Sequence, residues 1–297
     1  MELLIQARRR SLGGFDVGRV LPFAQHRMVG PFTFFDHMGP ITFPPHIPRE
    51  TDVRPHPHIG LSTITYLFDG EMTHRDSLGV EQAIRPGEVN WMTAGKGITH
   101  SERFEGLRES GGLMDGIQAW VALPERDEET DPAFDHYGEG ELPSWTEPGL
   151  ALRLIAGEAF GSSSRVRTFS PLFYLHARMD AGARVGLPTG YPERAVYVAR
   201  GGIEADGRAF EHGDMLVFGP TEAPVLTATA PSQIMLLGGE PIGARHIWWN
   251  FVSSRQERIE QAKADWRAGR FALPAHDDAE FIPLPEDPPP PSPNPMS

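Results

Sequence analysis

The sequence contains no cysteine among its 297 residues. This absence excludes disulfide bonds, thiolate catalysis and thiolate metal ligands. Excess positive charge is also missing, because the formal net charge is −13, which argues against the broad basic footprint of proteins that bind nucleic acid or anionic membranes. No apolar run reaches the length of a membrane-spanning helix or of a secretory leader. We therefore expect a cytoplasmic protein without a direct nucleic-acid or membrane partner.

The composition favours a globular protein built of strands. Hydrophobic residues make up 39% and charged residues 23% of the chain, which is ordinary for a folded soluble protein, and the length allows two compact domains. Glycine (32 residues) and proline (29) are both plentiful. Their abundance favours short strands joined by tight turns over long helices.

The stretch from Arg54 to Phe104 carries the strongest chemical signal. It begins with Pro-His-Pro-His at 55–58 and ends with His-Ser-Glu at 100–102. Two alternating apolar runs, 61–68 and 89–92, lie between these ends and are separated by turn residues. This pattern predicts two halves of a β-barrel wall that meet at one point.

Each end of this stretch has the spacing of a two-ligand clamp. Residues two apart on a strand share a face, so His56 and His58 form one pair and His100 and Glu102 form another. A single His-x-His pair is also common on exposed loops, but a second pair at a strand-hairpin-strand distance favours a metal site. Three neutral imidazoles and one carboxylate suit a divalent ion of iron, nickel, copper, manganese or zinc.

A weaker copy of the pattern follows in the second half of the chain. Residues 66–70 (Tyr-Leu-Phe-Asp-Gly) match 197–201, and residues 86–89 match 212–215. This internal duplication predicts two domains of the same fold. The second copy has no His-x-His or His-x-Glu pair at the matching places, so we expect no metal in it.

The two halves of the stretch from Arg54 to Phe104 resemble the two motifs of the cupin barrel, in the form found in the pirin family. Pirin-like sequences recur at 34–40, 116–124 and 239–243. The resemblance implies an all-β protein with two cupin barrels, which are double-stranded β-helices of the jelly-roll type. It also implies one metal ion, usually Fe(II), in the N-terminal barrel. The pirin ligands fall on four residues of this chain: His56, His58, His100 and Glu102.

One residue departs from the usual cupin pattern. Most relatives have a glutamate shortly after the second histidine, where this chain has Ser62. Ser62 has the parity of His56 and His58, so we expect it to face the metal cavity and to leave it less anionic. His37 is a candidate pocket residue, although a structural hydrogen bond is favoured. His46 either shapes the entrance or lies exposed on its loop.

The predicted domains have the following limits. An N-terminal metal-binding cupin domain spans residues 1–133, and a C-terminal cupin domain without metal spans 142–283. The acidic, turn-rich segment 125–148 is predicted to link them. One helix is expected between Ser253 and Phe271, with Ile259, Ala262 and Trp266 on its apolar face. The proline-rich residues 284–297 are expected to be disordered or extended.

The resemblance implies an enzyme that opens flavonols such as quercetin with O₂. A flavonol can bind the ion through its deprotonated 3-hydroxyl group, and Glu102 is the carboxylate that the motif places to remove that proton. Some pirins instead act as metal- and redox-dependent regulators that dock on transcription factors or metabolic enzymes. The same ligands serve both functions, so a flavonol with O₂ and a protein partner remain alternative expectations.

Overall fold

The structure, a computed structural model, describes residues 1–285. Its strands, in chain order, are β1 (Leu3–Gln6), β2 (Arg8–Ser11), β3 (Asp16–Leu21), β4 (Phe32–Phe43), β5 (Val53–His58), β6 (Leu61–Asp69), β7 (Met72–Asp76), β8 (Glu81–Ile84), β9 (Val89–Thr93), β10 (Ile98–Arg103), β11 (Gly112–Ala122), β12 (Ala133–Tyr137), β13 (Ser144–Glu147), β14 (Leu150–Ala159), β15 (Ser162–Ser163), β16 (Leu172–Met179), β17 (Arg184–Gly186), β18 (Glu193–Arg200), β19 (Gly202–Ala205), β20 (Arg208–Glu211), β21 (Asp214–Phe218), β22 (Val225–Ala228), β23 (Ser232–Gly239), β24 (His246–Trp248) and β25 (Phe251–Ser253). Two α-helices accompany them, α1 (Glu105–Ser110) and α2 (Gln256–Arg267).

The chain folds into two compact units. Of the described residues, the histidine barrel consists of 9–17, 34–137 and 242–285, and the second barrel of 1–8, 18–33 and 138–241. The units differ from the predicted domain limits at both ends of the chain. Strand β1 pairs with β21, with Leu3 opposite Val217, so the first residues group with the second barrel. Helix α2 packs on Ile59 through its apolar face, so residues 242–285 group with the histidine barrel.

The second barrel is built from two sheets around one apolar core. The larger sheet has the strand order β1-β21-β18-β23-β16-β14-β13, with β15 paired to β14, and the smaller has the order β17-β22-β19-β20. Alternate residues of the larger sheet, such as Leu175 and Leu236, point to Val185 and Leu226 of the smaller one. Burial of these aliphatic side chains from both sheets stabilises the barrel.

The histidine barrel repeats this plan. Its larger sheet has the order β12-β9-β6-β11-β4-β3-β2, and its smaller sheet has the order β5-β10-β7-β8. Leu67 and Met114 from the larger sheet share a core with Met72 and Ile84 from the smaller one. The predicted all-β architecture of two barrels with a C-terminal helix is therefore confirmed.

The internal duplication is visible in the backbone of its turns. Gly70 and Gly201, which occupy matching places in the two copies, both have left-handed backbone angles, with φ of 90° and 73°. A β-carbon would lie 2.7 Å from the carbonyl oxygen of Leu113 at the first place and 2.4 Å from Ser232 Oγ at the second. Each turn therefore requires glycine both for its backbone angle and for lack of space.

Some segments differ from their predicted form. The predicted linker 125–148 contains two strands, because β12 pairs with β9 and β13 pairs with β14. Helix α2 begins at Gln256 after Arg255, without a side-chain cap from Ser253 or Ser254. Its predicted apolar residues are buried. Of the predicted tail 284–297, residues 286–297 lie outside the described residues. Within residues 1–285, no helix has the length and apolar character needed to cross a membrane.

Candidate metal centre

Strand β10 lies between β5 and β7 in the smaller sheet of the histidine barrel and positions the predicted ligands. Its antiparallel register with β5 sets His100 opposite His56 and Ile98 opposite His58. The register shifts between His100 and Glu102, where Glu102 lies opposite Val53. The sheet thus brings together two histidines from β5 and the His-Ser-Glu sequence of β10, which are about 40 residues apart in sequence.

The three histidines form one buried cluster. Their exposed fractions are 6% for His56 and 1% for both His58 and His100. The ring centroids of His56 and His100 are 4.4 Å apart, and each lies 5.0 Å from that of His58. One ring nitrogen from each histidine lies within 4.8 Å of one from each of the others. This is a spacing at which a single ion can contact all three rings.

Two of the rings are oriented by backbone carbonyl groups. The Nδ1 atom of His56 is 2.9 Å from the carbonyl oxygen of Arg54, and that of His58 is 3.2 Å from the carbonyl oxygen of Asn250. A carbonyl oxygen only accepts hydrogen bonds, so both Nδ1 atoms donate and both Nε2 atoms carry lone pairs. Metal-binding histidines typically use this arrangement, which fixes the ring and its tautomer.

Burial keeps the cluster neutral. Desolvation lowers the pKa of His56 to about 4 and the pKa values of His58 and His100 well below their usual range, and the neighbouring histidines lower all three further. A divalent ion requires neutral imidazoles, so no proton has to be removed from these rings before it binds at neutral pH.

Glu102 supplies the carboxyl group. It is 6% exposed, and its Oε1 atom lies 3.6 Å from His100 Nδ1. Desolvation raises the pKa of Glu102 to about 8, although the nearby Arg103 lowers it in part. A carboxyl group in this environment is costly to ionise unless a cation lies beside it.

Two side-chain atoms, one in the histidine cluster and one on Glu102 beside it, support the fit to a metal ion. Within residues 1–285, His100 Nε2 and Glu102 Oε2 are buried side-chain atoms without a hydrogen-bond partner. Such atoms are uncommon and cost free energy unless something binds them. An imidazole nitrogen and a carboxylate oxygen are also the donors that divalent first-row metals take. The residues present therefore fit the predicted ion.

Aromatic rings enclose the cluster. Trp120 on β11 lies against His58 at a centroid distance of 5.1 Å and stacks on Phe34 at 4.0 Å. Phe134 on β12 stacks on His74 at 4.4 Å, and His74 lies 5.1 Å from His100. His74 is buried, with an exposed fraction of 5%. Its sequence neighbourhood is polar, and only the pairing of β7 with β10 places it beside the cluster.

Ser62 lies on the other face of its strand. It is opposite Val121 and Thr93 in the sheet, and its Oγ atom is 3.2 Å from Thr93 Oγ1. The neighbouring residue, Thr63, is opposite Trp120, the ring that contacts His58. Successive residues of a strand face opposite sides. The structure therefore does not bring Ser62 to the cluster, in contrast to the predicted parity.

The change Ser62→Glu is accordingly expected to destabilise the protein. Ser62 is fully buried, and a carboxylate at this place would have neither water nor a cation as a partner, which costs several kcal/mol. The change Ser62→Ala is the control and should cost about 1 kcal/mol, the usual value for one hydrogen bond. Urea denaturation measures both. Equal stability of Ser62→Glu and the wild type would contradict this placement.

The two remaining candidates make no described contact with the cluster. His37 is buried and its Nε2 atom is 2.6 Å from Asp115 Oδ1, which matches the favoured structural role. His46 is exposed on its loop, with φ of 64°. Asn250, whose carbonyl group orients His58, was not identified from the sequence, because a backbone contact has no residue-type signal.

Comparison with known proteins identifies the family of both halves. Residues 14–121 match the family model for pirin, and residues 174–272 match the model for the pirin C-terminal cupin domain. A pirin-like protein of Caulobacter vibrioides is 63% identical over 287 residues, which are 96% of this chain and 100% of the relative. Together, these matches cover the cluster and both barrels.

Solved structures agree with this fold. A crystal structure of quercetin 2,3-dioxygenase from Acinetobacter baumannii aligns with a TM-score of 0.87 and 32% identity, over 95% of this chain and 94% of that one. A second structure of the same name and organism has a TM-score of 0.85 and 28% identity, over 91% and 97% of the two chains.

Proposed function

The chain belongs to the pirin family, and on that premise we propose that it is a metal-dependent dioxygenase that opens flavonols such as quercetin with O₂. The observation that carries the proposal is the buried cluster of three neutral histidines beside Glu102, in which His100 Nε2 and Glu102 Oε2 have no hydrogen-bond partner among residues 1–285. The likeness to solved quercetin 2,3-dioxygenases at 32% and 28% identity supports the substrate class.

In this proposal four residues hold one divalent ion: His56, His58, His100 and Glu102. Fe(II) is the proposed ion, and nickel, copper, manganese and zinc also suit three imidazoles and a carboxylate. When bound, the ion supplies Lewis acidity towards the flavonol oxygens and a centre at which O₂ can react. The rings of His56 and His58 stay fixed through their Nδ1 contacts to backbone carbonyl groups.

Glu102 is the proposed general base. The flavonol must lose its 3-hydroxyl proton, and a base works best when its pKa is near the working pH. Without a bound cation, burial raises the pKa of Glu102 to about 8, and a buried carboxylate is a stronger base than an exposed one. Glu102 would accept the proton at Oε1 or Oε2, and a carboxylate that held the ion would have to loosen from it to do so.

The aromatic residues around the cluster suit a planar substrate. Trp120 lies against His58, and Phe134 stacks on His74 beside His100. Flat rings bind flavonols by stacking and exclude water from the site. Exclusion of water also strengthens the attraction between the cation and a flavonolate anion.

Metal loading combined with a flavonol assay tests the proposal. Metal-free protein is loaded in turn with ferrous iron, nickel, copper, manganese and zinc, and the metal content is measured by elemental analysis. We expect about one equivalent per chain, as four ligands of one site require. With at least one ion, quercetin absorbance should fall with equimolar O₂ uptake and release of carbon monoxide.

A metal-loaded protein that does not consume a flavonol would decide against the dioxygenase proposal. Protein that holds one equivalent of each ion and consumes no flavonol with any of them would overturn the dioxygenase proposal. The regulatory alternative, in which the metal-bearing protein docks on a transcription factor or a metabolic enzyme, would then be the better reading of the same ligands.

A further inference from the structure

His74 and Asp76 lie beside the cluster on strand β7. The antiparallel register of β7 with β10 sets Asp76 opposite His100 and His74 opposite Glu102. Residues directly opposite each other share a face, so all four side chains are on one side of the smaller sheet. Asp76 is fully buried and His74 is 5% exposed. Neither residue belongs to the proposed ligand set.

The contacts of Asp76 determine which nitrogen of His74 carries a proton. Asp76 Oδ1 accepts hydrogen bonds from the backbone N–H groups of Leu78 and Val80, at 2.8 and 3.1 Å. Its Oδ2 atom lies 3.0 Å from His74 Nε2. An ionised carboxylate has no proton to donate, so His74 Nε2–H is the donor. A neutral imidazole has one N–H group, and His74 Nδ1 is therefore an acceptor.

The same reasoning extends to His100. His100 Nδ1 lies 3.3 Å from His74 Nδ1, and two lone pairs would repel each other at this distance. His100 Nδ1–H must therefore donate to His74, which leaves the lone pair of His100 on Nε2. That atom is buried and has no hydrogen-bond partner within the described residues 1–285. Glu102 Oε1, at 3.6 Å from His100 Nδ1, is beyond hydrogen-bond distance.

The result matches the other two histidines. His56 and His58 also donate from Nδ1, to the carbonyl oxygens of Arg54 and Asn250. A backbone carbonyl oxygen can only accept a hydrogen bond. The Nδ1 atom of His74 could donate or accept, and it accepts because Asp76 fixes the proton of His74 on Nε2. The tautomer of His100 thus depends on the side chains of His74 and Asp76, whereas the tautomers of His56 and His58 depend on backbone groups alone.

We propose that Asp76 and His74 are positioning residues that hold His100 in the tautomer with a bare Nε2, so that all three histidines offer the same nitrogen to a divalent cation. The inference rests on the proposed metal site and adds the residues that prepare it. Neither residue touches the substrate or the cation. Because His100 already has the required tautomer, no proton has to move between its ring nitrogens when the cation binds.

The change Asp76→Asn tests the relay. The amide oxygen can still accept from Leu78 and Val80, and the amide nitrogen then donates to His74 Nε2. His74 must in turn carry its proton on Nδ1, which forces the proton of His100 onto Nε2. We expect nitrogen-15 NMR of the metal-free full chain to show His100 protonated on Nδ1 in the wild type and on Nε2 in Asp76→Asn. The affinity for Ni²⁺ should fall about 10- to 100-fold, as for other partners of metal-binding histidines.

Two changes at His74 separate the relay from general packing. His74→Asn keeps an oxygen that can accept from His100 Nδ1–H, whereas His74→Phe keeps the ring that stacks on Phe134 and has no acceptor. His74→Asn should retain the wild-type tautomer of His100 and most of the Ni²⁺ affinity, and His74→Phe should retain neither. If Asp76→Asn does not fold, this pair still decides the inference. Asp135→Asn on β12, which is half-buried, is the matched control.

The outcomes are distinct from those of the flavonol assay. Wild-type His100 protonated on Nε2, or on both nitrogens, would overturn the inference whatever the enzyme does. So would Asp76→Asn and His74→Phe with wild-type Ni²⁺ affinity. Wild-type protein with the expected tautomer and one bound ion, but without flavonol turnover, would reject the dioxygenase and leave the relay in place.

Discussion

Joint replacement of His56 and His58 with alanine is expected to abolish metal binding, with an affinity loss of more than about 100-fold. Loss of a single outer partner of a metal-binding histidine costs about 10- to 100-fold, and this change removes two of the four proposed ligands. The two rings are adjacent on β5, 5.0 Å apart. The remaining pair, His100 and Glu102, cannot enclose a cation. Elemental analysis after dialysis against equimolar metal measures the effect.

A matched double change controls for the loss of two histidines. His212 and His246 both lie outside the cluster, and their joint replacement with alanine should leave about one equivalent of metal, as the proposal expects for one site. Retention of a full equivalent by His56→Ala/His58→Ala would show that the ion binds elsewhere. Thermal denaturation of the metal-free proteins distinguishes lost ligands from lost structure.

Replacement of Asp277 with asparagine is expected to lower the free energy of unfolding by about 3 kcal/mol, the lower end of the range for breaking a buried ion pair. Asp277 accepts from Arg103 Nε and Nη2, at 2.8 and 2.6 Å, and from Ser101 Oγ at 2.5 Å. Arg103 is 2% exposed and would lose its two-point partner. Its remaining contacts, with Asp52 at 3.4 Å and with Glu280 at 3.2 Å, limit the loss.

The pH dependence of this loss has a definite sign. Burial alone would raise the pKa of Asp277, but hydrogen bonds from Arg103 and Ser101 hold it below its usual range. A carboxylate with a lowered pKa in the folded state stabilises the protein above its unfolded pKa of about 3.9, and this contribution is lost as the pH falls through the folded value. The stability difference between wild type and Asp277→Asn should therefore be constant from pH 5 upward and shrink below about pH 4.

Asp278→Asn provides the control at the next position. Asp278 is exposed, and its replacement should change stability by less than about 0.5 kcal/mol. Urea denaturation at several pH values measures both variants. If Asp277→Asn behaved like Asp278→Asn, the buried pair would not contribute to folding. The effect matters for the site because Ser101 and Arg103 alternate with His100 and Glu102 on β10.

The local pattern was sufficient to place the members of each proposed ligand pair on the same strand. His56 and His58, and likewise His100 and Glu102, are two residues apart within one strand each, and strand parity is a property of the chain alone. The turn glycines Gly70 and Gly201 are similar, since their left-handed backbone angles follow from a local turn. For the same reason the duplication was visible without a structure.

The parity argument failed where the strand ended. β5 ends at His58 and β6 begins at Leu61 in the other sheet. The side on which Ser62 lies therefore does not follow from the side on which His56 and His58 lie. Strand parity holds only within one strand, and an inference about facing does not carry over a break between strands of different sheets. The linker prediction failed similarly, because polar edge strands such as β12 and β13 have the composition of loops.

By itself, the sequence determined the fold class, the two barrels and the spacing of the two proposed ligand pairs, because spacing along a strand and glycine at tight turns are local properties. Only the tertiary structure decided which other groups reach the cluster. His74 and Asp76 arrive through the pairing of β7 with β10, and the carbonyl group of Asn250 arrives from 192 residues away along the chain. Pairing between strands is set by the burial of whole faces, and no single residue type records it.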